Sequence, residues 1–361
     1  MRATDAVSQA GLFEEAPPPV VRREVPVVGE QKDIRYFAAA PKSVLNNPAA
    51  TGMGFWSINP YVGCAFGCAY CYARYAHRYT AERLADAARL DGGDALATDN
   101  LPPWLAFERR IMVKREAPAL LRKALGRPSI LNALHQERVV IGTATDPYQP
   151  AERRFRVTRG ILEVLAEQRG IGVTIISKSP LVTRDIDLLT KINERSRLAV
   201  HVSLITVDRE LARTLEPRAP TPEARLRGIA RLRANGIETG VNVMPVLPGI
   251  TDSPDMVEEL IIAVKKADAS YIAACALRLQ SSARDRYLPF IATNFPELAT
   301  RYQRAYASSY QVNEHYREGL KERFTRVCAQ YDMPFGRYNR GEVDEEEDVV
   351  AVAADQLDLL G

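Results

Sequence analysis

Hydrophobic runs and helical patterns alternate along the middle of the chain. Six short runs rich in apolar and β-branched residues indicate strands: Phe55–Pro60, Val139–Thr145, Val173–Ser177, Leu198–Thr206, Thr239–Val246 and Tyr271–Leu279. Segments with helical periodicity follow the first five: Cys68–Ala88, Ala151–Gln168, Leu181–Glu194, Pro222–Ala234 and Pro254–Ala267. Strands that alternate with helices pair in parallel through right-handed crossovers. The pattern therefore predicts an α/β fold, a partial (β/α)6 barrel of the TIM type rather than the full eightfold barrel.

The segments outside this pattern differ in composition and length. We expect a flexible N-terminal extension over 1–35, the barrel over 36–282 with an insertion at 89–137, a C-terminal helical segment over 283–335 and an acidic tail over 336–361. Two long helices, 283–308 and 313–331, are predicted in the C-terminal segment. A long excursion beside an active site, such as the insertion, is often a lid or a substrate platform.

Composition excludes few classes of protein. The chain has 361 residues, of which 46% are hydrophobic and 26% charged, and no apolar run is long enough to span a bilayer. Its net charge of +3 is too small to decide about nucleic acid. Twelve Lys and Arg residues lie between positions 109 and 159 with few acids. They could form a phosphate-binding face, although solvated helix faces have the same composition.

Three cysteines lie close together in the segment Cys64-Ala-Phe-Gly-Cys68-Ala-Tyr-Cys71. Thiolates are soft ligands, and three of them leave one iron of a [4Fe-4S] cubane open to bind a small molecule. A structural zinc site would need a fourth ligand, for which His77 is the nearby candidate, and an odd cysteine count argues against disulfides. We therefore expect an oxygen-sensitive cluster and a cytoplasmic protein.

The CxxxCxxC spacing, with an aromatic residue before the last cysteine, resembles the signature of radical S-adenosylmethionine (SAM) enzymes. The resemblance implies that Cys64, Cys68 and Cys71 hold a [4Fe-4S] cluster whose open iron binds the amino and carboxylate groups of SAM. It implies that one electron cleaves SAM to methionine and a 5′-deoxyadenosyl radical, which abstracts hydrogen from a substrate. Tyr70 would lie beside the cluster, near the adenine. The partial barrel predicted above is the fold of this family.

Polar residues follow successive predicted strands, where chemistry collects in α/β barrels. Lys178 can pair with the carboxylate of SAM, and Ser203 can donate to that carboxylate or to the ribose. Glu216 can accept from the amino group or from a ribose hydroxyl. The other expected cofactor contacts are Asp146, Ser177, Val243 and Pro245, of which the last two would pack against the adenine.

Longer segments resemble the spore photoproduct lyase-like branch of the radical SAM enzymes. These are NPYxGCxxGCxYCYAR from Asn59, TDPYQPxE from Thr145, SKSPLVTRDIDLL from Ser177, LEPRAPTPEARL from Leu215 and MPVLPGITD from Met244. The lyase reverses a thymine dimer in DNA and uses a cysteine some tens of residues after its cluster to return hydrogen. Here no cysteine occurs between Cys71 and Cys275, so the lyase activity itself does not follow.

Tyr271 and Cys275 share one face of the last predicted strand. If that face points into the barrel, both are candidate catalytic residues, and Cys275 could donate hydrogen to a substrate radical. The other interpretation of Cys275 is a small buried residue, as cysteines outside disulfides often are.

Three functions remain open from the sequence. The first is a radical SAM enzyme acting on DNA or a nucleotide, with SAM and an electron donor of flavodoxin or ferredoxin type as partners and no membrane. The second is a radical SAM enzyme of small-molecule biosynthesis, acting on a nucleoside, sugar or natural-product intermediate. The third is a non-enzymatic iron–sulfur protein.

Overall fold

A computed structural model describes residues 27–51, 54–74 and 101–336. Strands are Val27–Gln31 (β1), Ile34–Ala38 (β2), Leu45–Asn46 (β3), Trp56–Ile58 (β4), Tyr61–Val62 (β5), Arg110–Val113 (β6), Val139–Ile141 (β7), Val173–Ser177 (β8), Leu198–Ser203 (β9), Glu238–Val246 (β10) and Tyr271–Ala276 (β11). Helices are Pro48–Thr51 (α1), Pro103–Arg109 (α2), Ala117–Leu125 (α3), Pro128–Gln136 (α4), Pro150–Phe155 (α5), Val157–Ala166 (α6), Ile186–Arg195 (α7), Arg209–Leu215 (α8), Pro222–Arg233 (α9), Pro254–Lys266 (α10), Ser281–Asn294 (α11), Ala299–Ala305 (α12) and Glu314–Gln330 (α13).

The barrel is one sheet of seven strands in the order β11-β10-β9-β8-β7-β4-β3. Strands β4 and β7 to β11 are parallel to their neighbours, and β3 pairs antiparallel with β4 at one edge. Both faces of these strands are covered, so their residues are apolar almost without interruption: all six residues of β9, for example, are buried. The six predicted strands and the partial (β/α)6 barrel are confirmed.

The predicted helices differ from the observed ones mainly at their ends. Residues 68–73 form turns rather than the start of a helix, and 75–100 lie outside the described residues. The helix predicted over 151–168 is divided at Arg156, whose φ of 51° is left-handed and cannot continue a helix. The helix predicted over 283–308 is interrupted at Phe295-Pro296, because proline cannot donate to the preceding turn.

A second sheet, ordered β1-β2-β6-β5, joins the N-terminal part of the described chain to the insertion. Strands β1 and β2 form a hairpin, and β2 pairs in parallel with β6. Residues 27–35, which composition assigned to a flexible extension, are therefore structured, because β6 supplies a partner for β2. Residues 1–26, His77, the first part of the insertion and the acidic tail after Gly336 lie outside the described residues. None of the described helices is long and apolar enough to cross a membrane.

The inside of the barrel depends on a close approach between β10 and β11. Gly240 is aligned with Tyr271 on β11 and with His201 on β9. The Tyr271 ring lies across Gly240, so that a Cβ added there would be 2.2 Å from the ring. The Tyr271 hydroxyl thereby reaches Nε2 of His201 at 2.5 Å. Glycine at this position lets one buried aromatic residue cross a neighbouring strand.

We predict that Gly240→Ala lowers the free energy of unfolding by about 1–3 kcal/mol, the usual cost of forcing extra atoms into a packed core. Gly319→Ala is the matched control, since Gly319 lies on an exposed face of α13 with nothing within 4 Å of an added Cβ. That change should stabilise the protein by roughly 0.5–1 kcal/mol. Urea unfolding measures both. An equal change in the free energy of unfolding of the two variants would contradict the close packing at Gly240.

Candidate active site

A cavity of about 300 Å³ occupies the barrel interior and the carboxyl ends of its strands. It brings together ten of the thirteen predicted site residues: Cys64, Cys68, Tyr70, Cys71, Asp146, Ser177, Lys178, Ser203, Pro245 and Cys275. Glu216, Val243 and Tyr271 are not among the lining residues. The lining is mostly apolar, which suits a site that must bind a small molecule and keep out water.

The loop that carries the cysteines is held by the segment after β7. The Gln149 side chain donates to the carbonyl of Gly63 at 3.0 Å and accepts from the backbone N–H of Ala65 at 3.0 Å. The Thr145 hydroxyl donates to the same Gly63 carbonyl at 2.6 Å. Gly63 has a φ of 86°, and a Cβ there would lie 2.7 Å from the carbonyl oxygen of Phe107. Residues of the TDPYQP segment therefore hold the cysteine loop in position by hydrogen bonds.

A buried arginine supports the loop from the other side. Arg74 is fully buried and donates to the Cys68 carbonyl and to Glu108, both at 2.6 Å. Glu108 also accepts from Arg218 at 2.9 Å, and the Arg218 backbone N–H donates to the Phe66 carbonyl. The loop between Cys64 and Arg74 has no strand or long helix of its own among its described residues, so these contacts fix its course.

The three thiols form a donor set that fits an iron–sulfur cluster. Burial raises the pKa of Cys64 to about 12 and raises those of Cys68 and Cys71, while the positive charges of Lys178 and Arg74 act in the opposite direction. Within the described residues, no three His, Cys, Asp or Glu side chains gather around a single metal-ion position. In a cubane cluster each thiolate binds a different iron, so the three thiolates lie farther apart than the ligands of a single metal ion. The positive charge of the irons also stabilises the buried thiolates.

Glu216 is buried and does not itself line the cavity, but it contacts residues that do. The Tyr70 hydroxyl donates to its Oε1, Arg225 donates to its Oε2, and the Lys178 ammonium lies 3.7 Å from Oε1. Burial acts to raise the pKa of Glu216, but Arg225 and Lys178 outweigh it and the pKa is lowered. Both oxygens are already engaged by protein. Glu216 therefore holds Tyr70 and Lys178 in place, and its contact with SAM stays a prediction.

Lys178 and Asp146 lie side by side at the ends of β8 and β7. The Lys178 ammonium is 5.6 Å from the centre of the Tyr70 ring. Burial acts to lower the pKa of Lys178, but the nearby Cys68 and Glu216 outweigh it, so the pKa is raised and the ammonium stays charged. Asp146 accepts from the Ser177 hydroxyl at 2.8 Å and from the Lys178 backbone N–H at 2.7 Å. Asp146 and Ser177 therefore orient the turn that presents Lys178.

Of the two β10 residues that were predicted to contact SAM, Pro245 lines the cavity and Val243 does not. Asn242 and Met244 line the cavity, whereas Val243 points away and is buried on the outer side of the strand. A register shift between Val243 and Val246 then turns Pro245 into the cavity beside Met244. Period-two alternation from Gly240 would have found Asn242 and Met244, since Gly240 faces Tyr271 inside the barrel.

Tyr271 and Cys275 have separate positions along β11. Cys275 is half-buried and lines the cavity, while Tyr271 is buried and contacts His201, which does line it. Burial and the charge of Arg138 lower the pKa of His201 to about 3, so its ring is neutral. The Tyr271 hydroxyl and Nε2 of this neutral ring share a hydrogen bond. His201, Arg138, Thr174 and Arg278 are lining residues that the sequence interpretation did not assign to the site.

Part of the positive charge between residues 109 and 159 is paired within the chain. Arg109 pairs with Asp33, Arg122 with Glu167, and Arg159 with Asp185 and Asp187. Arg115 and Arg154 lie over the Phe155 ring. Of the twelve, Arg138 lines the cavity. Several of these positive charges are therefore neutralised within the chain, which weakens the expectation of a phosphate-binding face there.

The partial barrel and the loop of three cavity-lining thiols indicate an iron–sulfur enzyme that binds a small molecule at its cluster. A family model, the Radical SAM superfamily, matches residues 58–261, which is more than half of the chain. The chain belongs to this superfamily and is a radical SAM enzyme, with a [4Fe-4S] cluster and SAM as its cofactors. This excludes the non-enzymatic alternative.

Similar proteins share most of the length of the chain. An uncharacterized protein of Mycobacterium tuberculosis is 34% identical over 302 residues, covering 83% of this chain and 82% of the relative. An uncharacterized protein of Methanocaldococcus jannaschii is 26% identical over 251 residues, covering 70% of this chain and 80% of the relative.

Solved structures show the same fold. A spore photoproduct lyase mutant aligns with a TM-score of 0.56 at 14% identity, covering 87% of this chain and 86% of the lyase. Another lyase mutant, determined with bound AdoMet and dinucleoside spore photoproduct, aligns with a TM-score of 0.55 at 14% identity, covering 88% of both chains. At this identity the likeness concerns the fold.

We predict that Arg225→Leu lowers the free energy of unfolding by about 3–5 kcal/mol, because it leaves the Glu216 carboxylate buried without its main partner. The double variant Glu216→Gln/Arg225→Leu should regain part of that loss. Arg122→Leu is the control: its pair with Glu167 is more than half exposed, and its removal should cost about 0–1 kcal/mol. A small effect of Arg225→Leu in urea unfolding would show that Glu216 does not need this pair.

Proposed function

We propose that this enzyme abstracts a hydrogen atom from a nucleobase-bearing substrate, DNA or a nucleotide, that enters the cavity beside Cys275. The observation that carries the proposal is a single cavity lined by the three cluster cysteines, Lys178 and Cys275. A [4Fe-4S] cluster held by these cysteines would supply, after reduction by a donor of flavodoxin or ferredoxin type, the electron that converts SAM to methionine and a 5′-deoxyadenosyl radical.

The residues around the cluster would bind and orient SAM. Cys64, Cys68 and Cys71 would hold the cluster, and the charged Lys178 would pair with the carboxylate of SAM. Tyr70, Ser203, Asn242, Met244 and Pro245 provide the remaining polar and apolar walls near it. Asp146, Ser177 and Glu216 would act indirectly, by holding Lys178 and Tyr70 in place.

The cavity lies inside the barrel, and its volume of about 300 Å³ would be shared between the cluster, SAM and the reacting group of the substrate. A base in DNA would therefore have to be turned out of the helix before it could reach the cluster. The dinucleoside spore photoproduct bound to the similar lyase supports a nucleobase as the substrate group. The internal pairing of the basic residues instead supports the second candidate, a free small molecule such as a nucleoside.

We predict that the anaerobic protein, reconstituted with iron and sulfide and then reduced, forms 5′-deoxyadenosine from SAM. Cys68→Ala should lower this to the background rate and remove the visible absorption of the cluster. Cys328→Ala is the matched control, because Cys328 is buried in α13 and is not a lining residue of the cavity. Unchanged 5′-deoxyadenosine formation in Cys68→Ala would refute the assignment.

Cys275 would return a hydrogen atom to the substrate. Its S–H bond would break homolytically while a C–H bond forms on the substrate radical, and the resulting thiyl radical would take up one electron from the same reductant and one proton. The thiol is half-buried within the cavity wall, where it can meet substrate but is shielded from bulk solvent. Tyr271, four residues earlier, would act through His201 rather than on the substrate.

We predict that Cys275→Ala continues to form 5′-deoxyadenosine but yields less substrate product for each molecule formed, because the substrate radical then lacks its donor. Product analysis by mass spectrometry with a deuterated solvent measures this, since the thiol exchanges its hydrogen with water. Deuterium incorporated to the same extent in the variant would rule out Cys275 as the donor.

A further inference from the structure

We infer that Arg278 and the N-terminus of α11 bind a phosphate group of the substrate at the end of β11. The inference rests on the proposed function, because it names the group by which a nucleotide-type substrate would be held. Arg278, Gln280 and Ala283 line the cavity, together with Tyr310 from the loop between α12 and α13. These residues follow the sixth parallel strand, β11, at the edge of the sheet farthest in strand order from β4 and the cysteine loop.

The backbone around Arg278 is held in place. The Leu279 N–H donates to the Tyr310 carbonyl at 2.8 Å, and Arg278 forms an antiparallel bridge with Gln311. The Leu277 N–H donates to Val246 at 3.0 Å, and its carbonyl accepts from the buried Tyr306 hydroxyl at 3.0 Å. The guanidinium of Arg278 therefore extends from a fixed stretch of chain, as a preorganised binding group requires.

The charge of Arg278 has no counterpart within the described residues. It forms no ion pair there, and its Nη1 is enclosed by protein without a hydrogen-bond partner. Because Arg278 lines the cavity without a carboxylate partner, its charge is available to an anionic group that enters the cavity. Arg74, Arg159, Arg218 and Arg225, by contrast, all have carboxylate partners.

The start of α11 adds a favourable field for an anion. The helix has 14 residues, its cap residue Gln280 makes no capping hydrogen bond, and its first turn contains no acidic residue. The first N–H groups of a helix lack partners within it, and the helix dipole favours negative charge at this end. A guanidinium and free helix N–H groups together match the oxygens of a phosphate.

The experiment measures binding of thymidine, thymidine 5′-monophosphate and the dinucleotide thymidylyl-thymidine to the cluster-loaded protein by calorimetry. Of the two phosphate-bearing probes, we expect the one with the higher affinity to bind at least about tenfold more tightly than thymidine. This is the effect of one charge-assisted contact. Arg278→Gln should remove this advantage while leaving the affinity for SAM unchanged. Arg278→Lys, which keeps the charge but not the planar fork, should retain part of it. Tighter binding of the monoester would indicate a free nucleotide, and tighter binding of the diester would indicate a nucleic acid.

Arg301→Gln serves as the control, because Arg301 is exposed on α12 and its loss changes the net charge equally. It should keep both the phosphate advantage and 5′-deoxyadenosine formation. The inference is overturned if no phosphate-bearing probe binds more tightly than thymidine, if the advantage survives Arg278→Gln, or if that variant instead weakens SAM binding. Phosphate-dependent binding through Arg278 without 5′-deoxyadenosine formation would contradict only the proposed function.

Discussion

The buried carboxylate of Glu216 is the interaction on which the arrangement of the active site depends. It connects Tyr70 of the cysteine loop, Lys178 after β8 and Arg225 of α9, and Arg225 also donates to the Ser203 carbonyl at the end of β9. A carboxylate removed from water is costly unless it is paired, so these partners stabilise the native structure only together. The position of the cysteine loop is therefore set by the barrel and not by secondary structure within the loop.

Polar residues at the strand ends have two different roles: some hydrogen-bond to the protein itself, and one, Lys178, carries a charge in the cavity wall. Gln149, Thr145, Asp146 and Ser177 use their hydrogen bonds on the protein itself and fix the course of the cysteine loop and of the turn before Lys178. Lys178, whose ammonium keeps a charge inside the cavity wall, is presented by this framework. A cluster with an open iron needs such rigidity, since a small displacement of the bound molecule would misplace the reacting atoms.

The sequence predicted the barrel well, because strands covered on both faces appear as unbroken apolar runs such as β8 and β9. The predicted cysteines, Lys178 and Ser203 line the cavity, as their residue types and positions in the sequence suggested. The sequence could not predict that the oxygens of Glu216 are already engaged, since Arg225 becomes their partner only in the folded chain. Val243 was assigned to the site although period-two alternation from Gly240 puts Asn242 and Met244 on the cavity side, and the shift in register that brings Pro245 to the cavity is local to β10. The sequence did not predict the hairpin of β1 and β2, because β6, the strand that pairs with β2, lies far along the chain.

Selectivity in this site must come from position rather than from chemical preference. Hydrogen-atom abstraction leaves the charge of the substrate unchanged, so fixed charges cannot favour one C–H bond over another through the reaction itself. Fixed charges can favour one C–H bond by holding the substrate at a defined position relative to the cluster. Lys178 beside the cysteines and Arg278 after β11 are two cations on the same largely apolar wall. A cofactor anchored at one and a substrate anchored at the other would have fixed positions relative to each other and to the thiol of Cys275.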